Sequence, residues 1–234
     1  KPTVILDLKP GLGEVALFLG LRCRYTLIDA IDNAHRLDDE FLRELLAHHK
    51  SGLDLLAGSD QFERPGAGDG AAVEEVVRLL SRHYDQVVID AGMQLTGAVA
   101  STLYAADHIC LVANPDVASV RNTQRILDRI RQLGPCGERV RVLLNRAAEP
   151  YPIPPPQIET AIGHAIDHTF PSDYRTVAGA LNAGVPLALS GNSELSAGFE
   201  RFTHTLLPQS PMVSEGEVAG RRAGLGFQRL ASLW

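Results

Sequence analysis

Asp90 is the residue whose type and position point most directly to chemistry. It follows the short apolar run of residues 86–89 and precedes a turn at Ala91 and Gly92. Such a run is typical of a strand buried on both faces of a parallel sheet, and open sheets of this kind bind ligands outside the carboxyl ends of their strands. Asp90 could therefore orient Mg²⁺ and its water in a nucleoside-triphosphatase. It could equally cap the following helix, since Asp is a common N-cap.

Other residue groups carry weaker chemical signals. Gly11 and Gly13 form part of a glycine-rich fingerprint, but a third glycine is lacking and Pro10 precedes them, which favours a turn. His164 and His168 are four residues apart, yet Gly163 and the strand pattern that follows argue against a helical metal pair. No Ser/His/Asp or Cys/His set has a recognisable local signature, so that hydrolase chemistry on a nucleophile is not predicted.

Strand and helix patterns alternate along the chain. Strands are predicted at residues 3–8, 52–57, 86–89, 108–113, 140–145 and 166–170. Helices are predicted at residues 14–19, 36–46, 73–80, 95–106, 120–133, 158–163, 176–183 and 193–207. This order predicts an α/β fold with a doubly wound, mostly parallel sheet, helices on both faces, and one ligand edge at the carboxyl ends of the strands.

Composition favours one large cytoplasmic domain. The chain has 234 residues, 45% of them hydrophobic, with no run long enough to span a membrane and no visible export signal. Cys23, Cys110 and Cys136 lack metal-ligand spacing and are interpreted as reduced thiols. The net charge of −6 argues against a nucleic-acid partner, although a local basic face stays open. The predicted divisions are a domain at 1–208, a polar linker at 209–220 and a tail at 221–234.

Five segments in the order and spacing found here resemble the MinD/ParA family of deviant P-loop ATPases. They are VILDLKPGLGEVALFL from Val4, YDQVVID from Tyr84, ADHICLVANPDVASVRN from Ala106, VLLNR from Val142 and FPSD from Phe170. The first segment, together with Asn-Arg and the later Pro-Ser-Asp, is most similar to the CpaE/TadZ pilus-assembly branch. The resemblance covers residues 3 to about 207 and implies the P-loop NTPase fold, with ATP or ADP and Mg²⁺ as cofactors.

The resemblance also implies roles for particular residues. Asp90 would orient Mg²⁺ through water, and the segment with Asp7 and Lys9 would be the first switch, facing the γ-phosphate. The adenine pocket would be lined by Asn145, Arg146, Pro171, Ser172 and Asp173.

The sequence departs from the family pattern in two ways. A P-loop cradles phosphates with Gly-rich backbone N–H groups and a Lys, and none of the three lysines, Lys1, Lys9 and Lys50, has that context. We therefore expect that the P-loop and its strand are absent from this chain, and that the missing strand would leave unpaired edges inside the sheet. In addition, Lys9 stands where the family usually has a second Asp that assists the attack of water.

Two surfaces could bind partners. Arg121, Arg125 and Arg129 form a stripe on the predicted helix 120–133, which is either a solvated face or a docking surface. The tail at 221–234 is basic and amphipathic and is similar to the membrane-targeting tails of MinD-like proteins, although a helix docked on the domain fits equally well. Its cationic and apolar residues are Arg221, Arg222, Leu225, Phe227, Arg229, Leu230, Leu233 and Trp234.

Three functions follow from these expectations. The first is a CpaE/TadZ-like localisation factor for a Flp/Tad-type pilus or secretion machine, a cytoplasmic homodimer, peripheral at the inner membrane, with weak or no ATP hydrolysis. The second is an active MinD/ParA-type ATPase that positions DNA or the division site. The third is an interaction scaffold that binds no nucleotide. Whether the protein is an ATPase is left open by the residues themselves.

Overall fold

One sheet organises the chain. The computed structural model describes residues 2–9, 13–59, 70–134, 136–190, 193–207 and 228–233. The strands in these ranges are β1 Thr3–Asp7, β2 Ala47–His48, β3 Leu53–Leu56, β4 Gln86–Asp90, β5 His108–Ala113, β6 Val140–Ala147, β7 Ile166–Pro171 and β8 Gln228–Leu233. They pair in the order β2-β3-β1-β4-β8-β5-β6-β7, parallel throughout except for the antiparallel pair β2–β3.

Helices connect most of these strands. Within the described ranges they are α1 Val15–Phe18, α2 Leu27–Asp32, α3 Asp39–Leu45, α4 Gly70–His83, α5 Gly97–Ala105, α6 Val117–Leu133, α7 Pro155–Ile162, α8 Tyr174–Ala183, α9 Leu187–Ser190 and α10 Glu194–Leu206. No helix among the described residues has the length and apolar character needed to cross a bilayer. The predicted doubly wound, mostly parallel fold is confirmed.

Alternate residues of the strands pack against helices on opposite faces of the sheet, as the alternation of side chains along a strand requires. On β5, Ile109 and Leu111 join the large core that includes helices α2 to α7. Cys110 and Val112 join a smaller cluster with α8 and α10. On β1, Ile5 packs beside α1 in a third cluster. Both faces are therefore covered, which explains why the central strands read as continuous apolar runs.

The long helix α6 follows its predicted periodicity. Val120, Thr123, Leu127 and Ile130 are buried, and the Asp116 side chain caps the helix by accepting a hydrogen bond from the Ser119 amide at 2.8 Å. The predicted stripe of arginines on its other face is exposed. The choice between a solvated face and a docking surface stays a prediction.

The expectation of a helix in the tail is wrong for residues 228–233. Gln228–Leu233 is a strand, parallel to both β4 and β5, rather than an amphipathic helix. A strand missing from inside the sheet was expected to leave unpaired edges, and β8 instead pairs with both neighbours there. Backbone groups inside a sheet need partners, which is the physical reason for this placement. The remaining tail residues, 221–227 and 234, and the predicted linker lie outside the described residues.

Three short elements, α2, β2 and α9, were not predicted. For α2 the sequence does contain a signal, because Thr26 and Asp29 form a capping box. The Asp29 carboxylate accepts a hydrogen bond from the Thr26 amide at 2.7 Å. The two-residue strand and the one-turn helix are too short to show a period.

Two loops meet closely at the carboxyl end of β1. A Cβ atom placed on Gly58 would lie 2.9 Å from Asp7 Cγ, and one on Gly13 would lie 2.7 Å from Gly58 Cα. Real Cβ atoms do not approach that closely, so the loops that follow β1 and β3 can pack only because both residues are glycine.

We predict that Gly58→Ala destabilises the fold by about 1–3 kcal/mol, because its methyl group must displace the backbone or Asp7. The measurement is the free energy of unfolding in urea. Gly179→Ala is the matched control: Gly179 lies inside α8 with open space around it, and the substitution is expected to stabilise by about 0.5–1 kcal/mol. An unchanged urea midpoint for Gly58→Ala would show that the two loops are not in close contact.

Candidate functional site

The pairing of β1 with β4 places two carboxylates side by side at one edge of the sheet. Asp7 and Asp90 are the last residues of these strands and are paired in register. Neighbouring strands lie about 4.8 Å apart, so both side chains belong to one small site. Each residue was expected at a strand end, and the structure brings the two together.

Asp7 is the more buried of the two, with 1% of its surface exposed. Its Oδ1 accepts a hydrogen bond from the Lys9 amide at 3.1 Å, and its Oδ2 accepts one from the Val15 amide at 3.3 Å. Burial raises the pKa of Asp7 from 3.8 to about 6, and the charge of Asp90 adds to the rise, against the lowering effect of the two amides. The carboxyl group thus ties the loop that follows β1 to the strand end.

Asp90 is half-buried and more accessible to a ligand. Its Oδ1 accepts a hydrogen bond from the Gly92 amide at 3.3 Å, in a turn where Gly92 has a φ of +63°. The alternative that Asp90 caps the next helix is wrong, because α5 begins at Gly97 and is capped by Thr96. Burial raises the pKa of Asp90, while the Gly92 hydrogen bond and the Lys9 charge lower it.

Lys9 lies beside this pair and forms an ion pair with Glu14. Its charge lowers the pKa of both Asp7 and Asp90. The side chains of Lys9 and Glu14 are both partly exposed, 39% and 44%, so their attraction alone stabilises the fold little. The effect of the Lys9 charge is local, because this charge offsets those of the two neighbouring carboxylates. Glu14 was not predicted as the partner of Lys9, and the role of Lys9 as part of a switch stays a prediction.

Asn114, at the carboxyl end of β5, was not predicted as a site residue. Its backbone amide donates a hydrogen bond to Ser119 Oγ at 2.8 Å. Its side-chain Oδ1 is buried and has no hydrogen-bond partner among the described residues. A buried acceptor without a partner is uncommon and costs free energy. Asn114 could therefore accept a hydrogen bond from a ligand or a water at the same edge, and only three-dimensional placement reveals it.

The residues predicted for an adenine pocket lie on β6, at the end of β7 and in the two residues that precede α8. Ala147 pairs with Pro171, and the Ser172 amide donates to the Ala147 carbonyl at 2.9 Å, which holds Asn145 near the loop that begins α8. The Asp173 carboxylate caps α8 through the Thr176 amide at 3.1 Å, which lowers its pKa.

Arg146 is exposed and has a left-handed backbone with a φ of 53°. Because β8 and β5 separate β4 from β6, this group lies about 14 Å from Asp90 along the edge. An extended nucleotide could span that gap.

The carboxylates at this edge suit the Mg²⁺ ion of a magnesium–nucleotide complex. Mg²⁺ prefers carboxylate, water and phosphate oxygens, and Asp90 offers an accessible carboxylate beside Asp7. Within the described part of the chain no group of three or more His, Cys, Asp or Glu side chains could hold a metal ion. Phosphate oxygens and water would therefore have to complete the coordination. The same edge suits the phosphates of the nucleotide poorly, because no lysine of the sequence follows a glycine-rich loop.

Sequence comparison finds no family model that matches the chain. The chain is 24% identical over 212 residues to septum site-determining protein MinD of Thermotoga maritima, and the match covers 86% of this chain and 75% of that protein. It is 25% identical over 222 residues to the chloroplastic MinD homologue of Arabidopsis thaliana, covering 89% and 66%. Against MinD of Buchnera aphidicola subsp. Schizaphis graminum the match is 28% over 131 residues, and the chain spans about half of that relative, 47%.

Solved structures match over most of the chain. A ParA family ATPase from Chlorobium tepidum has a TM-score of 0.80 at 23% identity, covering 87% of this chain and 86% of that one. MinD from the Aquifex aeolicus MinC:MinD complex has a TM-score of 0.73 at 19% identity, covering 96% and 88%. MinD of Pyrococcus horikoshii with Mg-ADP has a TM-score of 0.72 at 20% identity, covering 87% and 82%. The chain therefore has the MinD/ParA P-loop NTPase fold, and septum site-determining MinD proteins are similar to it in sequence.

Proposed function

We propose that the chain is a MinD/ParA-type positioning protein whose nucleotide site lies at the Asp7–Asp90 edge and hydrolyses ATP slowly. The observation that carries the proposal is the in-register pair of carboxylates at the end of β1 and β4, on a fold shared with a MinD that was solved with Mg-ADP. Relatives named as septum-site MinD support this function better than the pilus-assembly function.

Each residue of the edge has a distinct part in the proposal. A bound Mg²⁺–nucleotide would supply the phosphates and the electrostatic activation of the reaction. Asp90 is placed to hold the metal through water. Asp7 holds Lys9 and Val15 in place by accepting hydrogen bonds from their backbone amides. Lys9, which is paired with Glu14, stands where the resemblance implies an Asp that assists the attacking water, and an amine held in an ion pair does not accept the proton of that water.

A CpaE/TadZ-like role in pilus assembly is the second candidate. One observation favours it: Leu17 and Phe18 of α1, in the segment most similar to that branch, are 67% and 38% exposed close to the Lys9–Glu14 pair. Exposed apolar residues beside a slow site suit a protein that binds a partner rather than one that turns over rapidly. A homodimer, a pilus-machinery partner and binding to an inner-membrane surface all stay predictions. Membrane binding by residues 221–234 would require β8 to leave the sheet.

We expect the chain to bind Mg²⁺–ATP at this edge with a dissociation constant of about 1 mM or weaker, because no lysine of the sequence follows a glycine-rich loop that could cradle the phosphates. The measurement is the chemical-shift change of the Val15, Gly92 and Asn114 amides during titration with ATP and Mg²⁺. Asp90→Asn should weaken the response. Asp128→Asn, on the exposed face of α6, is the control and should leave it unchanged.

Two outcomes of that titration would count against the proposal. Micromolar affinity would show that a phosphate cradle exists after all. No shift at the three amides would remove the nucleotide site from this edge and, with it, the proposed function.

Asp7 should make stability depend on pH. Its pKa is raised on folding, so its contribution to stability is fully present below pH 3.8 and is lost as pH rises through about 6. Asp7→Asn removes a charge that costs up to about 3 kcal/mol at pH 7, and it sacrifices one hydrogen bond at every pH. Relative to wild type, the variant should therefore gain about 2–3 kcal/mol between pH 4 and pH 7 in urea unfolding.

Asp173→Asn is the control with the opposite sign. The pKa of Asp173 is lowered by its hydrogen bonds to Thr176, so its stabilisation is present at neutral pH and is lost only as pH falls below 3.8. The penalty for this variant should stay nearly constant from pH 7 to pH 4. A parallel pH profile for both variants would contradict the assignment of Asp7 as a buried, destabilising charge.

Substitution of Lys9 should change the rate of hydrolysis. Lys9→Asp supplies an acceptor for the proton of the attacking water, an effect that is typically worth a factor of about 10² or more. Lys9→Gln removes the positive charge without supplying an acceptor and should leave the rate low. Phosphate release is measured at ATP concentrations well above the dissociation constant. If wild type already hydrolyses ATP as fast as Lys9→Asp, then Lys9 does not suppress the reaction.

A further inference from the structure

Lys9 brings a positive charge to an edge where carboxyl groups gather. Burial is the main cause of the raised pKa values of Asp7 and Asp90, and the Lys9 charge lowers both values. The Glu14 charge, by contrast, adds to the rise of the pKa of Asp90. When these four groups are ionised, carboxylates outnumber the ammonium group, so a free anion would be repelled. A phosphate group therefore suits this edge only together with a divalent cation, as in the Mg²⁺ complex of a nucleotide.

The backbone on each side of the Lys9–Glu14 ion pair is held by Asp7. The Asp7 carboxylate accepts a hydrogen bond from the amide of Lys9 at 3.1 Å and another from the amide of Val15, the residue after Glu14, at 3.3 Å. Both hydrogen bonds come from backbone groups. They can therefore persist when the side chains of Lys9 and Glu14 separate, and a change of partner for Lys9 requires only rotation of its side chain.

The ion pair itself is of a kind that exchanges partners readily. The side chains of Lys9 and Glu14 are 39% and 44% exposed. Exposed pairs of this kind change an equilibrium constant by only about five-fold or less. The ammonium group of a lysine carries three donors on a flexible stem, and its hydrogen bonds to phosphate are among the strong ones. A phosphate at this edge can therefore replace the Glu14 carboxylate as the partner of Lys9.

The position of Lys9 also matches the expected place of a phosphate. Its charge acts on Asp90, the carboxylate that is placed to hold Mg²⁺ through water. Phosphate oxygens are usual ligands of such an ion, so they would lie close to the same carboxylate. The ammonium group can then bind a phosphate oxygen while Asp90 binds the hydrated metal.

We infer that Lys9 binds a phosphate group of the Mg²⁺–nucleotide complex, and that Glu14 competes with that phosphate for Lys9. This inference rests on the proposed function, because it requires a nucleotide at the Asp7–Asp90 edge. Each binding event must break the Lys9–Glu14 pair. The pair is thus an autoinhibitory contact, and the affinity for nucleotide is lower than Lys9 alone would give.

The inference is tested with wild type, Lys9→Gln, Glu14→Gln and the double variant. Each protein is titrated with Mg²⁺–ATP and, separately, with Mg²⁺–tripolyphosphate, while the amide shifts of Val15 and Gly92 are measured by NMR. Lys9→Gln should weaken the binding of both ligands about ten-fold, because a hydrogen bond between charged groups is lost. Glu14→Gln should tighten both about two- to five-fold. In the double variant this gain should disappear, because the competition needs Lys9.

Two controls separate a binding role from a structural one. Titration with Mg²⁺ alone should shift the Gly92 amide of Lys9→Gln at least as strongly as that of wild type, because loss of a nearby cation favours metal binding at Asp90. Glu75→Gln is the matched charge control. Glu75 forms an ion pair with Arg78 on α4, so that this variant removes the same charge from a similar pair and should leave the affinity for both phosphate ligands unchanged.

The outcomes distinguish this inference from the proposed function. Equal affinities of wild type and Lys9→Gln for both phosphate ligands would leave the nucleotide site in place and exclude Lys9 as a ligand. A loss of the Mg²⁺ response in Lys9→Gln would show that Lys9 maintains the structure of the site instead. An equal gain from Glu14→Gln with and without Lys9 would identify general repulsion of anions rather than competition. Absence of any response in wild type would overturn both the inference and the proposed function.

Discussion

The in-register pairing of β1 with β4 is the constraint on which the candidate site depends. It brings Asp7 and Asp90 to adjacent positions at the sheet edge. A slip of one residue would shift the pairing by about 3.3 Å and turn alternate side chains to the opposite face. Val4 and Leu6 are buried in the large core, and Ile5 packs on the other side, so that slip would bury the wrong set of side chains. Core packing therefore fixes the register, and the register fixes the site.

The charges at this edge are held at a cost to stability. Two neighbouring carboxyl groups both have raised pKa values, chiefly because burial disfavours the ionised form. Perturbed pKa values of this kind cluster at functional sites. Gly13 and Gly58 allow a close approach of their backbones to each other and to Asp7. Lys9 forms an ion pair with Glu14 beside them. The fold therefore keeps Asp7 and Asp90 in these positions although their burial lowers the stability of the folded state.

Local patterns in the sequence predicted much of this structure. The apolar runs gave β1, β4, β5 and β6 to within a few residues, because inner parallel strands leave a continuous signal, and β7 at the edge of the sheet was also predicted. The helical period of α6 and its arginine face were predicted because apolar residues recur at every third or fourth position of this helix. Contacts between distant loops could not be predicted: no local pattern connects Gly58 to Asp7, or reveals that Asn114 Oδ1 has no partner among the described residues.

The sequence did not predict that β8 is a strand, and this failure has a physical explanation. Its mixture of Arg, Gln, Ser and Leu resembles an amphipathic surface segment, and only the need of β4 and β5 for backbone partners places it inside the sheet. Tertiary pairing thus overrides local preference at residues 228–233.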